Sequence, residues 1–376
     1  MSVVAVDPVP ILEELVRVPT HNPGGDERAL ASLLAARLGT LGADAVEVIE
    51  TPRPGTVGAS VLARWGRPSL LINAHLDTVP PNAGWTADPF VAVRAGGAVR
   101  GLGAADTKGA IAATLAAVET LRARGERPRD AMVLFSGDEE HGNHCMHALL
   151  DGGALAGCRR AIVCEPTGLQ AGTRHRGIAM IVVKQEGQGG HSSRADQLPA
   201  PVGELSRLAA AVYEWGRARR DEGPPGFPGL CVNVAMLEGG IAFNVVPSRA
   251  ALTFSLRPPP GADVAAILDE LRAMAARLVP SATVEIHHKP PFATRALEGF
   301  RALLGDVRVG APVDLGFWTE AALLVEAGID AVVCGPGEIE EAHAADEQVP
   351  VAELHAARDL FAHALSVGGG DADGAA

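Results

Sequence analysis

Between Val9 and Gly42 the apolar residues recur at helical spacing, interrupted at the turn-forming HNPGGDE of residues 21–27. Two short β-like runs follow, SVLARW and SLLINAHLD. The Ala-rich stretch from Lys108 to Arg124 predicts a helix, and AMVLFSGDEE predicts a strand. A helix of about ten residues and a further strand, AIVCEP, come next. Strands that alternate with helices predict an α/β fold with helices packed on both faces of a sheet.

Near residue 175 the order changes. IAMIVVKQEG reads as a strand, PVGELSRLAAAVYEWGRA as a helix, and GLCVNVAMLEGG and RAALTFSLRP as strands. DVAAILDELRAMAARL then reads as a helix and ATVEIHH as a last strand. The order β-α-β-β-α-β is the ferredoxin-like signature. Helix–strand alternation resumes after Lys289 and runs to a final helix at 350–366. The spacing therefore predicts a discontinuous domain, 1–174 with 290–376, carrying an inserted α+β domain at 175–289.

Composition narrows the chemistry. A chain of 376 residues that is 47% hydrophobic supports large cores in two domains. A formal net charge of −13, with no long basic run, excludes a nucleic-acid partner and an anionic membrane surface. No uncharged apolar stretch reaches the roughly 18 residues of a membrane span, and MSVVAVDPVP lacks the basic and apolar regions of a secretory signal. Five isolated cysteines without CxxC spacing read as reduced thiols, so a cytoplasmic location is expected. The tail GGGDADGAA reads as unstructured, and no internal repeat is visible.

Candidate metal ligands are scattered through the chain. LLINAHLDTVP places His75 and Asp77 two residues apart, on one face of a strand, where Asp77 can assist the histidine directly or nearby. A surface His–Asp pair fits that motif equally. Asp106, in GLGAADTKGA, is a carboxylate with two oxygens to bridge cations, and an isolated Asp there also reads as a helix cap. SGDEEHGN gives Glu139 and Glu140, one of which can bind metal while the other serves as general base. Glu165 ends the strand IVCEP, and His343 lies in the loop GPGEIEEAHAADE. Together His75, Asp106, Glu140, Glu165 and His343 can build two three-ligand zinc sites around a bridging Asp. His141, His144 and His147 recur every three residues but drift around a helix instead of converging, and are not HExxH, so we read no metal site there.

The motifs HLDTVP, GLGAADTKGA, GDEE, EPT, HRGI, GGHSS and FNVVP, in that order, resemble the dinuclear zinc aminoacylase and exopeptidase superfamily. That superfamily includes acetylornithine deacetylase, succinyl-diaminopimelate desuccinylase, carboxypeptidases and tripeptidases. FWTEA and CGPGEIEEAHAADE are most similar to acetylornithine and acetylcitrulline deacetylases. The resemblance implies a zinc-exopeptidase-like catalytic domain with a mixed sheet, and an inserted dimerisation or lid domain. It implies two zinc ions per chain, with cobalt as a substitute: His75, Asp106 and Glu165 on one, and Asp106, Glu140 and His343 on the other. It further implies Glu139 as the base and makes the Asp106–Thr107 peptide a candidate for a cis bond, and Asp77 counts with Glu139 and His191 among the candidate catalytic residues. His191, in GQGGHSS, matches a residue that completes the partner's site in a homodimer. Asn244 and Arg257 match residues that grip substrate. Arg257 suits an α-carboxylate, and a strand-end salt bridge is the other reading. Ser192 and Ser193 lack a triad, which argues against a protein nucleophile. The expected reaction is release of an acyl group from a small N-acyl amino acid. A desuccinylase, an acetyl-lysine deacetylase and a small peptidase remain as alternatives, as do a non-catalytic binding protein and a scaffold dimer on the same fold.

Overall fold

The computed structural model describes residues 5–369. Residues 1–4 and, from residue 370 on, the Gly- and Asp-rich tail lie outside the described residues. The chain divides into two compact units. One holds the described residues up to Thr173, then Thr294–Val313 and the chain from Thr319 on; the other holds Arg174–Ala293 and Asp314–Trp318.

The sheet of the first unit runs, in order, Ala45–Arg53, Thr56–Trp65, Ala131–Ser136, Leu70–His75, Arg160–Pro166 and Asp330–Gly335. The first two pairings are antiparallel and the next three are parallel. The parallel strands Leu70–His75 and Ala131–Ser136 are buried at every position, which is why they read as unbroken apolar runs. Leu70, Ile72 and Ala74 join one core with the helices Val9–Val16, Lys108–Ala123 and Val351–Val367. Leu71 and Asn73 point the other way by the pleat, and Asn73 meets Glu320, the cap of the helix Ala321–Glu326.

The edge strand Ala45–Arg53 has no counterpart in the sequence reading. It is mostly exposed and interrupted by Glu47, Glu50 and Pro52, so its apolar signal is weak. Pairing with Thr56–Trp65 across the Pro54–Gly55 turn forms it, with Gly55 at φ +78°.

The second unit is a four-stranded antiparallel sheet in the order Cys231–Gly239, Arg249–Arg257, Ile178–Glu186, Thr283–Lys289. The helices Pro201–Ala218 and Val264–Leu278 contribute Leu205, Leu208, Leu268 and Leu271 to the core on one face, against Ile181, Val183, Leu252 and Phe254. Met180 and Thr253 alternate with those strand residues and are not buried. Half-covered antiparallel strands give the period-two pattern read from the sequence.

Candidate active site

Five of the residues singled out from sequence stand at the same end of the parallel strands. His75 closes the strand Leu70–His75, Glu140 follows Ala131–Ser136, and Glu165 lies near the end of Arg160–Pro166. His343 lies in the segment after Asp330–Gly335, and Asp106 in the turn before the helix Lys108–Ala123. Parallel strands share a direction, so whatever follows each of them collects at one edge of the sheet.

The geometry brings these side chains together. Nε2 of His75 is 2.8 Å from Oδ1 of Asp106 and 3.9 Å from Oε2 of Glu165. Nε2 of His343 is 3.3 Å from Oδ2 of Asp106 and 2.8 Å from Oε1 of Glu140. Asp106 thus presents one oxygen to each imidazole. Ligating atoms of His75, Asp106 and Glu140 lie within 4.8 Å of one another. His343 has φ +59°, a left-handed conformation costly for a residue with a Cβ. Its carbonyl oxygen accepts from Asn82 Nδ2.

The charges are crowded. Burial raises the Glu165 carboxyl well above its usual range, and the charges of Asp106, Glu139 and Glu140 push the same way. Burial and the charge of Asp106 also raise Glu140. Burial opposes ionisation of Asp106, but its hydrogen bonds to His343 and His75 prevail and hold it well below the carboxylate range. Hydrogen bonds to Asp106 and Glu140 push the His343 imidazole up to about 10. Without metal, protons on the imidazoles offset the carboxylates. Two imidazoles and three carboxylates, with Asp106 between the imidazoles, fit a pair of divalent cations, which would supply that charge in place of the protons.

Asp77 departs from the strand alternation expected for it. The strand ends at His75, and His75 Nδ1 lies 2.8 Å from the main-chain oxygen of Asp77, with Oδ1 of Asp77 3.7 Å away. That main-chain bond sets the proton on Nδ1 and directs Nε2 toward Asp106. The Asp77 carboxylate instead accepts from the main-chain N–H groups of Glu139 and Glu140, each at 3.1 Å. Glu139 is buried beside this contact.

Two supports of the site are not marked as such by the sequence motifs. Thr107 Oγ1 donates to the His75 carbonyl oxygen at 2.9 Å and accepts from the His75 N–H at 3.1 Å. Glu347 accepts from the main-chain N–H groups of Gly103, Ala105 and Asp106 at 2.8, 2.9 and 3.0 Å. Burial, then the charge of Asp106, pushes the Glu347 carboxyl up to about 7. Only its place in the HAADE segment, four residues after His343, could have flagged it. The Asp106–Thr107 peptide is cis, as expected, and so is Asn22–Pro23. His144 pairs with Asp138 at 2.7 Å, and His141, His144 and His147 are absent from the metal-capable cluster found among the described residues.

The other three candidates belong to the second unit. His191 is exposed, and its Nδ1 accepts from the Ser193 N–H at 3.2 Å, which places a ring proton on Nε2 in the neutral form. The Ser192 N–H donates to the main-chain oxygen of Asn244 at 3.0 Å, so His191 and Asn244 sit on paired segments. Arg257 ends its strand and lines a cavity of about 680 Å³ with Arg176, Phe227 and Trp318.

The profile of Peptidase family M20/M25/M40 matches residues 71–367. The chain belongs to this family. Its M20-type relatives include the N-acetyl-L-citrulline deacetylase of Xanthomonas campestris pv. campestris, 34% identical over 91% of this chain and 93% of that one. The acetylornithine deacetylase of Myxococcus xanthus is 32% identical over 80% of each chain. An M20 metallo-carboxypeptidase from Sulfolobus solfataricus shares the fold, with a TM-score of 0.71 at 19% identity over 96% of this chain and 98% of that one. As a member of this family the chain is an amide-bond hydrolase.

Proposed function

We propose that this chain is a two-metal deacetylase that hydrolyses the amide of N-acetylornithine or N-acetylcitrulline, in the synthesis of arginine. The observation that carries the reading is the convergence of His75, Asp106 and Glu140 within 4.8 Å, with Glu165 3.9 Å from His75 and His343 3.3 Å from Asp106. The deacetylase relatives, spanned over most of their length, support the acetyl group.

His75, Asp106 and Glu165 would hold one cation, and Asp106, Glu140 and His343 the other. Zinc is the metal proposed, with cobalt a competent substitute. Bound there, the ions supply the Lewis acidity that makes water nucleophilic near neutral pH. Glu139 takes the proton of the attacking water and returns it to the leaving amine nitrogen. Asp77 fixes the main chain under Glu139 and Glu140. His191 offers its Nε2 proton to the oxygen that becomes negative at the scissile carbonyl. Asn244 and Arg257 take the amino-acid end, with Arg257 on the α-carboxylate. The active form is a cytoplasmic homodimer joined through the inserted unit, with His191 acting in the partner's site.

A turnover panel tests the reading, with zinc or cobalt supplied and the mass of the active species measured alongside. N-acetylornithine or N-acetylcitrulline should be the best substrate, ahead of acetyl-lysine, succinyl-diaminopimelate and a dipeptide, with activity in the dimer. Faster release of succinate, faster peptide cleavage or an active monomer would contradict the corresponding part.

A further inference from the structure

Behind Glu139 and Glu140 lies a closed group of polar side chains. Three successive main-chain N–H groups donate to two carboxylates: Asp138 to Oε1 of Glu27 at 3.2 Å, Glu139 to Oδ1 of Asp77 at 3.1 Å, and Glu140 to Oδ2 of Asp77 at 3.1 Å. The second oxygen of Glu27 accepts from the Ala59 N–H at 2.9 Å. One amide serves both carboxylates. Nδ2 of Asn22 donates to Oε1 of Glu27 at 2.6 Å and to Oδ2 of Asp77 at 2.7 Å. An amide nitrogen has two hydrogens, so each carboxylate receives one.

This works in one orientation of the amide only. Arg53 sets it, donating from Nη2 to Oδ1 of Asn22 at 3.0 Å. A flipped amide would turn its oxygen toward two carboxylates and its hydrogens toward a guanidinium. Arg53 also lies 3.1 Å from Glu27 and donates from Nη1 to the Asp138 side chain. Asn22, Glu27, Arg53, Asp77 and Asp138 are all buried. The turn also packs tightly, since a Cβ on Gly137 would overlap the Ala59 carbonyl oxygen and the Glu27 carboxylate. Two buried carboxylates on one guanidinium, with a third reached through the Asn22 amide, make a poor device for stability, because desolvation offsets most of the attraction. Placed under a general base and a metal ligand, the group has a different use.

We infer that Asn22, oriented by Arg53, is a positioning residue for the Glu139–Glu140 turn, acting through Asp77 and Glu27 and touching no reacting atom. The inference rests on the two-metal reading above. Loss of the amide takes one donor from each of the two carboxylates and loosens the turn that their remaining bonds hold, so that Glu140 would ligate less tightly and Glu139 would meet its water less often. Substrate contacts are untouched, so the effect falls on kcat and on zinc affinity, with KM unmoved.

The experiment measures zinc binding to the metal-free protein by competition with a chromophoric chelator, and kcat and KM at saturating zinc, for wild type, Asn22→Ala and Arg53→Lys. In Asn22→Ala one of the two zinc ions should bind about 10–100-fold more weakly, with kcat down at least about tenfold and KM within about twofold. Arg53→Lys keeps the charge but cannot span Asn22 and Asp138 with a planar fork, so kcat should fall about tenfold at constant KM. Should Asn22→Ala not fold, Arg53→Lys decides alone. A folded variant that keeps both zinc affinities and its kcat within about twofold overturns the inference, and so does a rise in KM at constant kcat. Wild type that fails to bind two ions contradicts the two-metal reading itself, so the two failures are distinguishable.

Discussion

At the scale of the residue, His343, as a proposed ligand, would set the terms of metal uptake. Its imidazole is pushed up to about 10 by Asp106 and Glu140, the carboxylates proposed to share a cation with it. The proton must leave before Nε2 can ligate, so metal binding releases it. In the metal-free chain these contacts stabilise the fold fully below the unfolded imidazole value of 6.5, and the contribution is lost as pH rises through about 10. For metal the sign is opposite. Protons and zinc compete for the same nitrogen, so apparent zinc affinity rises with pH. Competition titrations at pH 6, 7 and 8 should show a gain of at least about tenfold per pH unit, one proton's worth. A flat profile would remove His343 from the ligand set.

At the scale of the element, the turn from Gly101 to Asp106 depends on a carboxylate from a distant loop. Glu347 accepts three of its N–H groups and is itself buried. In Glu347→Ala those donors lose their acceptor, at a cost of about 1–3 kcal/mol for each one left unsatisfied. The metal-free variant should unfold at lower denaturant by at least about 2 kcal/mol, and it should bind zinc about 10–100-fold more weakly. Unchanged stability and affinity would show that the turn holds Asp106 unaided. Glu347 also marks where sequence reading stops. The buried parallel strands and the β-α-β-β-α-β order were legible because burial writes its period directly into the apolar pattern. The strand Ala45–Arg53 and the short strands Val93–Ala95, Ala98–Arg100 and Gln348–Pro350 were not, since pairing makes them and three residues carry no period. The metal-capable cluster was legible because its residue types are unusual in combination. Glu27 was not: it closes the turn-forming HNPGGDE segment, where nothing in the apolar pattern marks it for burial, and only the fold buries it under the 138–140 turn.

At the scale of the whole molecule, the proposed ligands come from five separate segments between His75 and His343, all in the first unit. The chain leaves that unit after Thr173 and returns at Thr294, so His343 joins the other four only when both parts have folded together. Ligands assembled in this way would fix ions but would not move a proton; in the proposed mechanism that task falls to Glu139. Glu139→Gln keeps the size and removes the basicity, and therefore separates a metal site from a catalytic one. Metal content and turnover of this variant, measured on the same preparation, test the account most directly. We expect two divalent ions per chain, as in the wild type, with turnover down by roughly 10²–10⁴-fold. Turnover near that of the wild type, with both ions bound, would contradict it.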